Sequence, residues 1–499
     1  MIPFSRPPDR RLVTPGMAIT HLLGAAAALA WAACAVAATA PAAQPNILVI
    51  LSDDHGWADL GVQAARTDLK TPHLDQLARD GVRFARGYVT APQCVPSRAG
   101  LLTGRYQTRF GLEMNPQGPL TLREKTLADR LRTAGYRTGM IGKWHLEPNR
   151  ETTNTSDGPQ PAGAYRPGKR GFDEYFNGTM RNYEASFDLA GRTLPDAPRT
   201  IADPRYRIDV QTDAALAFLK RRAAEPGQPF FLYLAYFAPH VPMEKPEPYL
   251  GRFTAITDET RRMGLAALAA IDDGVGRIRA ALRERKIEEN TLIFFIGDNG
   301  APTSRGAWNG SLNDPLVGEK GMLTDGGIRV PFVATWKGRL PAGRVYPEAV
   351  SSLDVAATAT KLAGLPPDPA LDGVNLLPFL TSNSAAAPHE ALYWRWRSQA
   401  AILAGNWKLV FLAPDHWLLF DHTNDAPETH NVAAEHPEVV TRLRAQLERW
   451  ARDQNPAGLP RELVPQDRNF FDLHLRLFGG TAVPAPAAGK AKTKKGRAR

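Results

Sequence analysis

Three segments of the chain concentrate side chains able to do chemistry, and each lies beside an apolar run or a glycine-rich turn. Asp53-Asp54 closes the run Asn46–Ser52, and Asp298-Asn299 follows the run Thr291–Ile296. Three carboxylates and an amide, with no neighbouring His pair, make a hard oxygen set suited to Ca²⁺, with Mg²⁺ as the alternative. Neighbouring strand residues face opposite sides, so each pair converges only where the chain leaves the extended form, and nearby glycines permit that. An isolated acidic pair is commonly a loop or helix cap. Two such pairs, each after a buried strand, weigh a shared cation site equally with capping. The third segment is Cys94-Val95-Pro96-Ser97-Arg98, continued by Leu101-Leu102-Thr103-Gly104-Arg105. Cys94 is the only cysteine after position 34. A lone cysteine is commonly a buried hydrophobe, but an unpaired thiol at a polar, Gly- and Arg-rich turn of an exported chain asks for a chemical reason.

Elements able to hold these groups alternate along the sequence. Asn46–Ser52, Tyr136–Gly142, Pro229–Tyr236 and Thr291–Ile296 read as strands, the first as one buried on both faces. Thr71–Gly81, Leu127–Ala134, Ile208–Arg222 and Gly264–Lys286 read as helices. This order predicts an α/β fold, a mostly parallel sheet covered by helices on both faces. After residue 385 the pattern changes to the short strands Ala391–Arg397, Ala400–Leu412 (broken by a Gly405-Asn406 turn) and Trp417–Phe420, then the helix Pro437–Arg452. A small C-terminal antiparallel α+β unit is expected there. Trp394 and Trp396 share one strand face and read as core.

With 43% hydrophobic and 22% charged residues in 499, the chain is globular rather than disordered or fibrous. Its net charge of +10 sits at the two ends. Residues 1–44 carry +2 and the last ten +6, leaving only +2 for the body. A nucleic-acid partner is therefore not expected of the body. Residues 1–40 read as a secretory signal, with a basic start, an apolar run and small-residue cleavage sites, so the protein is expected to be exported, periplasmic or secreted. After cleavage no stable membrane span is expected; the alternative is an uncleaved anchor, since the apolar run from about Met17 to Ala38 is long enough to span a bilayer. Residues 481–499 read as a disordered basic tail. The expected organisation is a signal at 1–40, a catalytic domain at 45–384, a C-terminal subdomain at 385–460, an extension at 461–480, and the tail.

The Cys94-x-Pro96-Ser97-Arg98 motif with Leu101–Arg105 resembles the signature of the type I, formylglycine-dependent sulfatases of the alkaline phosphatase superfamily. The resemblance runs from about Pro45 to Asp453. It takes in both acidic pairs, Gly142-Lys143-Trp144-His145, and the segment from Gly318-Glu319-Lys320-Gly321 to Asp325 and Pro331. Asp325 stands where the family more usually has Glu. The resemblance implies an alkaline phosphatase-like fold and hydrolysis of sulfate monoesters on aryl or carbohydrate substrates. It also implies a maturation enzyme that oxidises Cys94 to formylglycine, whose hydrated aldehyde is the nucleophile.

The resemblance further implies roles for single residues. Asp53, Asp54, Asp298 and Asn299 would hold the cation together with residue 94, and Arg98 would orient both. Lys143 and Lys320 would bind the sulfate, as compact charges suit three equivalent oxygens. His240 would protonate the leaving alcohol, and His145 would take the proton that regenerates the aldehyde. Phosphodiesterases and phosphonate monoester hydrolases built on the same scaffold are the alternative. His55, Trp57 and Gln93 lie beside the motifs and read as loop packing. Arg166, Lys169, Arg170, Arg181 and Arg192 point equally to an anionic saccharide and to plain solvated surface.

Overall fold

The computed structural model describes residues 44–479, apart from 116–117, 149–156, 305 and 383–385. The expected signal and basic tail lie outside these residues. The first five strands are β1 (Asn46–Asp53), β2 (Val82–Tyr88), β3 (Arg137–Gly142), β4 (Glu174–Asn177) and β5 (Asn182–Ala185). They continue with β6 (Arg199–Ala202), β7 (Phe230–Pro239), β8 (Thr291–Gly297), β9 (Phe332–Thr335) and β10 (Arg344–Ser351). Together they form one sheet in the order β10-β2-β9-β8-β1-β7-β3-β4-β5-β6. β1 runs parallel to both neighbours, with Leu51 opposite Ala235 and Ser52 opposite Gly297. β9 is antiparallel to β8 and β2, and the β4-β5-β6 edge is antiparallel, so the sheet is mixed but parallel at its centre.

Alternation along β1 divides the core. Ile47, Val49 and Leu51 join one apolar cluster, while Leu48 and Ile50 join the other. Each such side chain, fully buried, contributes roughly 1.5–3 kcal/mol. The first face is covered by α2 (Cys94–Thr103), α3 (Leu127–Thr133) and α6 (Asp354–Leu362). The second is covered by α1 (Pro72–Arg79), α4 (Arg207–Arg222) and α5 (Glu259–Glu284). α5 begins before the expected Gly264, because the Asp258 carboxylate caps it by accepting from the Arg261 amide.

The C-terminal strands β11 (Leu392–Trp396), β12 (Gln399–Ala404), β13 (Trp407–Leu412) and β14 (His416–Asp421) make an antiparallel sheet in sequence order. One face gives Trp394, Trp396 and Leu412 to the main core, as expected of the tryptophans. The other packs Ile402, Leu409 and Leu419 against Leu443 and Leu447 of α7 (Pro437–Arg452). A further helix, α8 (Arg468–Phe478), lies in the stretch read as a plain extension, and buries Phe471, His474 and Leu475. Among the described residues no helix is long and apolar enough to cross a membrane.

Candidate active site

The site lies at the carboxyl ends of β1, β3, β7 and β8, where open α/β sheets bind ligands. Asp53 is the last residue of β1, and Asp54 bends the chain by taking the left-handed conformation itself, at φ 59°. The expectation that glycines would supply this bend is therefore corrected. The Asp54 amide donates to Asp298 (2.9 Å) and its carbonyl accepts from Asn309 (2.9 Å), which hold a residue that otherwise rarely goes there. Gly56 serves close approach instead, since a Cβ would fall 2.0 Å from the Leu312 carbonyl oxygen.

Cys94 opens helix α2 rather than sitting in a turn, and all ten residues of that helix are buried. Its Sγ lies 3.4 Å from Asp53 Oδ1, 3.8 Å from Asp54 Oδ1 and 3.6 Å from Lys320 Nζ. Burial pushes the thiol up, but the ammonium groups of Lys143 and Lys320 outweigh that and bring it below its ordinary value. Arg98, one helical turn on, faces the same way. Its Nε and Nη2 donate to Asp298 Oδ2 at 3.0 and 2.8 Å, and Nη2 lies 3.4 Å from Asp53. Nη1 donates to the Lys143 carbonyl at 2.8 Å. The guanidinium thus ties α2, β1, β3 and β8 together at one point, wholly out of water.

Two ammonium groups face the carboxylates. Lys143 Nζ is 2.7 Å from Asp53, and Lys320 Nζ is 2.8 Å from Asp54. Burial works against the Asp53 charge, yet Lys143, His240, Arg98 and Lys320 hold its carboxyl well below the usual range. The two histidines lie in opposite fields. His240 Nε2 is 3.5 Å from Asp54, and its side chain keeps 21% exposure at the mouth. Burial lowers His240, but Asp53, the Cys94 sulfur and Asp54 raise it to about 9. His145 is more deeply set, and its buried Nδ1 has no hydrogen-bond partner. Burial, then Lys143 and Arg98, bring it down to about 2.

The donor chemistry fits a hard cation. Asn299 Nδ2 donates to Asp54 (2.7 Å) and to the Gly300 carbonyl, leaving its Oδ1 buried without a partner. Burial and the nearby Asp53 and Cys94 push Asp298 well above the carboxylate range despite the Arg98 guanidinium beside it, as expected of crowded anions. Ligand atoms of Asp53, Asp54, Cys94 and His240 all lie within 4.8 Å of one another. Nine of the ten residues singled out in the sequence are joined in one cluster by these contacts, and His145 lies in the field of Lys143, Arg98 and Asp53.

The Sulfatase family model matches residues 45–365, and a second, N-sulphoglucosamine sulphohydrolase C-terminal, matches 318–453. This chain belongs to the sulfatase family. It is a sulfuric ester hydrolase. N-acetylgalactosamine-6-sulfatase of Canis lupus familiaris is 34% identical over 395 residues, covering 74% of this chain and 72% of the relative. Arylsulfatase G of Rattus norvegicus is 34% identical over 398 residues, covering 70% and 71%. The solved structure of Ps i-CgsB in complex with k-i-k-neocarrahexaose has a TM-score of 0.72 at 30% identity, covering 87% of this chain and 97% of that one.

In this sulfatase several arginines considered for an anionic saccharide have other partners. Arg170 is buried and donates to the carbonyls of Leu120, Thr121 and Glu124. Arg166 pairs with Glu184, and Arg192 with Asp188. Their reading as saccharide ligands is corrected for Arg170, which is a structural cross-link. His55 bridges Ser52 and the Asp59 carbonyl, and Gln93 accepts from Asn115 and Trp396, so both are packing residues. Phe237 and Arg207, which pack on His240, carried no local sequence signal. Phe237 reads there as one more apolar residue after a strand that in fact runs on to Pro239.

Proposed function

We propose that this sulfatase is an exported hydrolase of carbohydrate sulfate monoesters, working through a divalent cation, Ca²⁺ or Mg²⁺, and a formylglycine made from Cys94 by a maturation enzyme. The observation that carries the reading is the convergence on Cys94 of two ammonium groups, an oxygen donor set and His240. The carbohydrate assignment draws support from the N-acetylgalactosamine-6-sulfatase relatives and from the neocarrahexaose complex. When present, the cation held by Asp53, Asp54, Asp298 and Asn299 and the matured residue 94 supply a Lewis acid and an activated oxygen.

The chain's own residues do the rest. Lys143 and Lys320 turn from the carboxylates to the sulfate oxygens and offset the charge that spreads over them as the ester bond breaks. Arg98, fixed by two carboxylates, keeps α2 and thus residue 94 in line with the leaving oxygen. His240 gives its Nε2 proton to that oxygen; its Nδ1 is engaged with the Val241 carbonyl, which sets the tautomer. His145, neutral, would take the proton of the second hydroxyl on the hydrated residue 94 and so prepare the next turnover.

A panel of aryl sulfate, aryl phosphate diester and sulfated saccharides of defined position tests the activity. Sulfate should be released preferentially from one saccharide position. Faster cleavage of the phosphate diester would move the reading to the phosphodiesterase alternative. Peptide mass spectrometry of protein co-produced with a maturation enzyme should find formylglycine at position 94. Unmodified Cys94 in fully active protein would overturn that part.

A further inference from the structure

We infer that the C-terminal unit, through its antiparallel sheet and the loop after β14, is the positioning device for Lys320, acting through Gln399, Lys408 and Glu428. The inference rests on reading Lys320 as a sulfate-binding group. Lys320 lies on the segment Gly318–Asp325, which has no regular structure before Asp325. On the catalytic side that segment is tied by the Lys320 amide to the Ala301 carbonyl (3.2 Å) and by the Gly321 amide to the Pro92 carbonyl (3.0 Å). The Glu319 carboxylate accepts from the Thr303 amide (2.8 Å) and hydroxyl (2.7 Å), and the Gly318 carbonyl from Asn313 (3.1 Å), so the catalytic domain holds the start of the segment. Its far end, from Leu323 to Asp325, is held by the C-terminal unit and a buried ionic knot beneath it.

Gln399, on β12, brackets the residues just after Lys320 with one side chain. Its Nε2 donates to the Gly321 carbonyl at 2.9 Å, and its Oε1 accepts from the Leu323 amide at 3.1 Å. Gly321 has φ 94°, and a Cβ there would fall 2.3 Å from the Phe470 ring of α8, so the chain can turn and pack only as glycine. The far end of the segment is fixed at Asp325. Its carboxylate accepts from Lys408 Nζ (2.6 Å) and the Tyr88 hydroxyl (3.0 Å), and lies 3.2 Å from Arg329. Its amide donates to Glu428 Oε2 at 2.6 Å, while Lys408 also pairs with Glu428 Oε1 at 2.8 Å. His422 closes the knot on Glu428 at 2.8 Å.

Lys408, Asp325 and Glu428 have no exposed surface. A buried ionic cluster is a poor way to gain stability, since an apolar replacement of similar volume often does as well. Its strength is directional. Carboxylate and ammonium groups with every lone pair and proton engaged admit one arrangement of the backbone between them. Here that backbone carries an ammonium group to 2.8 Å from Asp54 and 3.6 Å from Cys94.

A double-mutant cycle on the cation-loaded, matured enzyme tests this with kcat/KM for a sulfate monoester and the inhibition constant of inorganic sulfate. Q399L should lower kcat/KM by roughly tenfold in the native background, and weaken sulfate inhibition in step. In the K320M background the same change should cost less than about twofold, because the group it positions is gone. Equal losses in both backgrounds would overturn the inference and leave Gln399 a structural residue. If K320M alone changes neither constant, the reading of Lys320 itself fails, an outcome the cycle separates. Should Q399L not fold, Q399E keeps the acceptor for Leu323 and loses only the donor to Gly321. K408M and its conservative counterpart K408R give the second arm: K408R should retain sulfate inhibition that K408M loses, and identical behaviour of the two would count against the knot.

Discussion

Phe237 and His240 lie nearly face to face, with ring centroids 4.9 Å apart and planes inclined by 28°. The Arg207 guanidinium sits 4.6 Å from the same Phe237 ring and Lys143 Nζ sits 5.0 Å from it. Arg207 Nη2 also donates to the His240 carbonyl at 2.7 Å. The imidazole is thereby held by an aromatic plane and its own backbone, leaving Nε2 directed toward Asp54.

That arrangement predicts a difference between the two histidines. H240Q should cost about 10²–10⁴-fold on alkyl or sugar sulfates and much less on an activated aryl sulfate, which needs little protonation to leave. H145Q should slow both substrates alike and give a burst of alcohol before a slow steady state. F237L should follow the H240Q pattern at smaller amplitude. Parallel losses on both substrate types for all three variants, without a burst, would leave the histidines as sulfate-binding groups only. Stopped-flow traces on one aryl and one alkyl ester decide it.

The pH dependence has a definite sign. His240, raised to about 9, is the protonated acid below that value, and its proton is lost as pH rises through it. His145, lowered to about 2, stays neutral across the working range. NMR titration of the cation-free protein should therefore find one charged and one neutral imidazole at pH 7. Adding Ca²⁺ should move His240 downward, because the cation shares the field of Asp53 and Asp54. The alkaline limb of kcat should be seen with alkyl sulfates and be absent with activated aryl sulfates.

Cation removal should be felt in stability as well as turnover. Chelation leaves Asp53, Asp54 and Asp298 facing each other in a buried space, so the folded state loses a ligand the unfolded chain does not hold. At a hundredfold excess over Kd the cation contributes about 2.7 kcal/mol. Calorimetry with and without Ca²⁺ should show a Tm that rises with its concentration, and D54N should flatten that dependence. An unchanged Tm in the native protein would argue against a cation at these residues.

Arg98 should tolerate neither loss nor exchange. R98M strands Asp298 without its buried partner and leaves Asp53 paired with Lys143 alone, a change typically costing about 3–5 kcal/mol. R98K keeps the charge but cannot donate to Asp298, Asp53 and the Lys143 carbonyl together. Urea unfolding under saturating Ca²⁺ should rank native above R98K above R98M. Near-native stability for R98M would show that the cation alone offsets the carboxylates.

Much of this was legible in the residues because chemistry and pattern coincide there. β1 and β8 are unbroken apolar runs, and the acidic pairs sit where those runs stop. Less legible were features set by packing. β2 carries Arg83 and Arg86 among its apolar residues, which blurs the strand pattern, yet it is an inner strand of the sheet. The left-handed conformation of Asp54 is imposed by Asp298 and Asn309, both more than 240 positions away, so no local signal could announce it. The helix starting at Cys94 contains a proline and a glycine, which read as turn residues, though Pro96 falls in the first turn, where it is tolerated. Helix α8 was missed for a simpler reason: eleven residues with a narrow apolar stripe matter only once the core they cap exists.

The place of β1 in the sheet bears on how the molecule is made. Among the described residues it is the first strand in sequence and a middle one in space, flanked by β7 and β8, whose paired residues follow it by more than 180 positions. Bringing such distant segments together closes long loops before any pairing is gained, which slows folding. A run as apolar as Asn46–Leu51 then waits unpaired until β7 has been synthesised, and keeps one open edge until residue 297 has followed. The strand that carries Asp53 is thus exposed to premature association until β8 arrives.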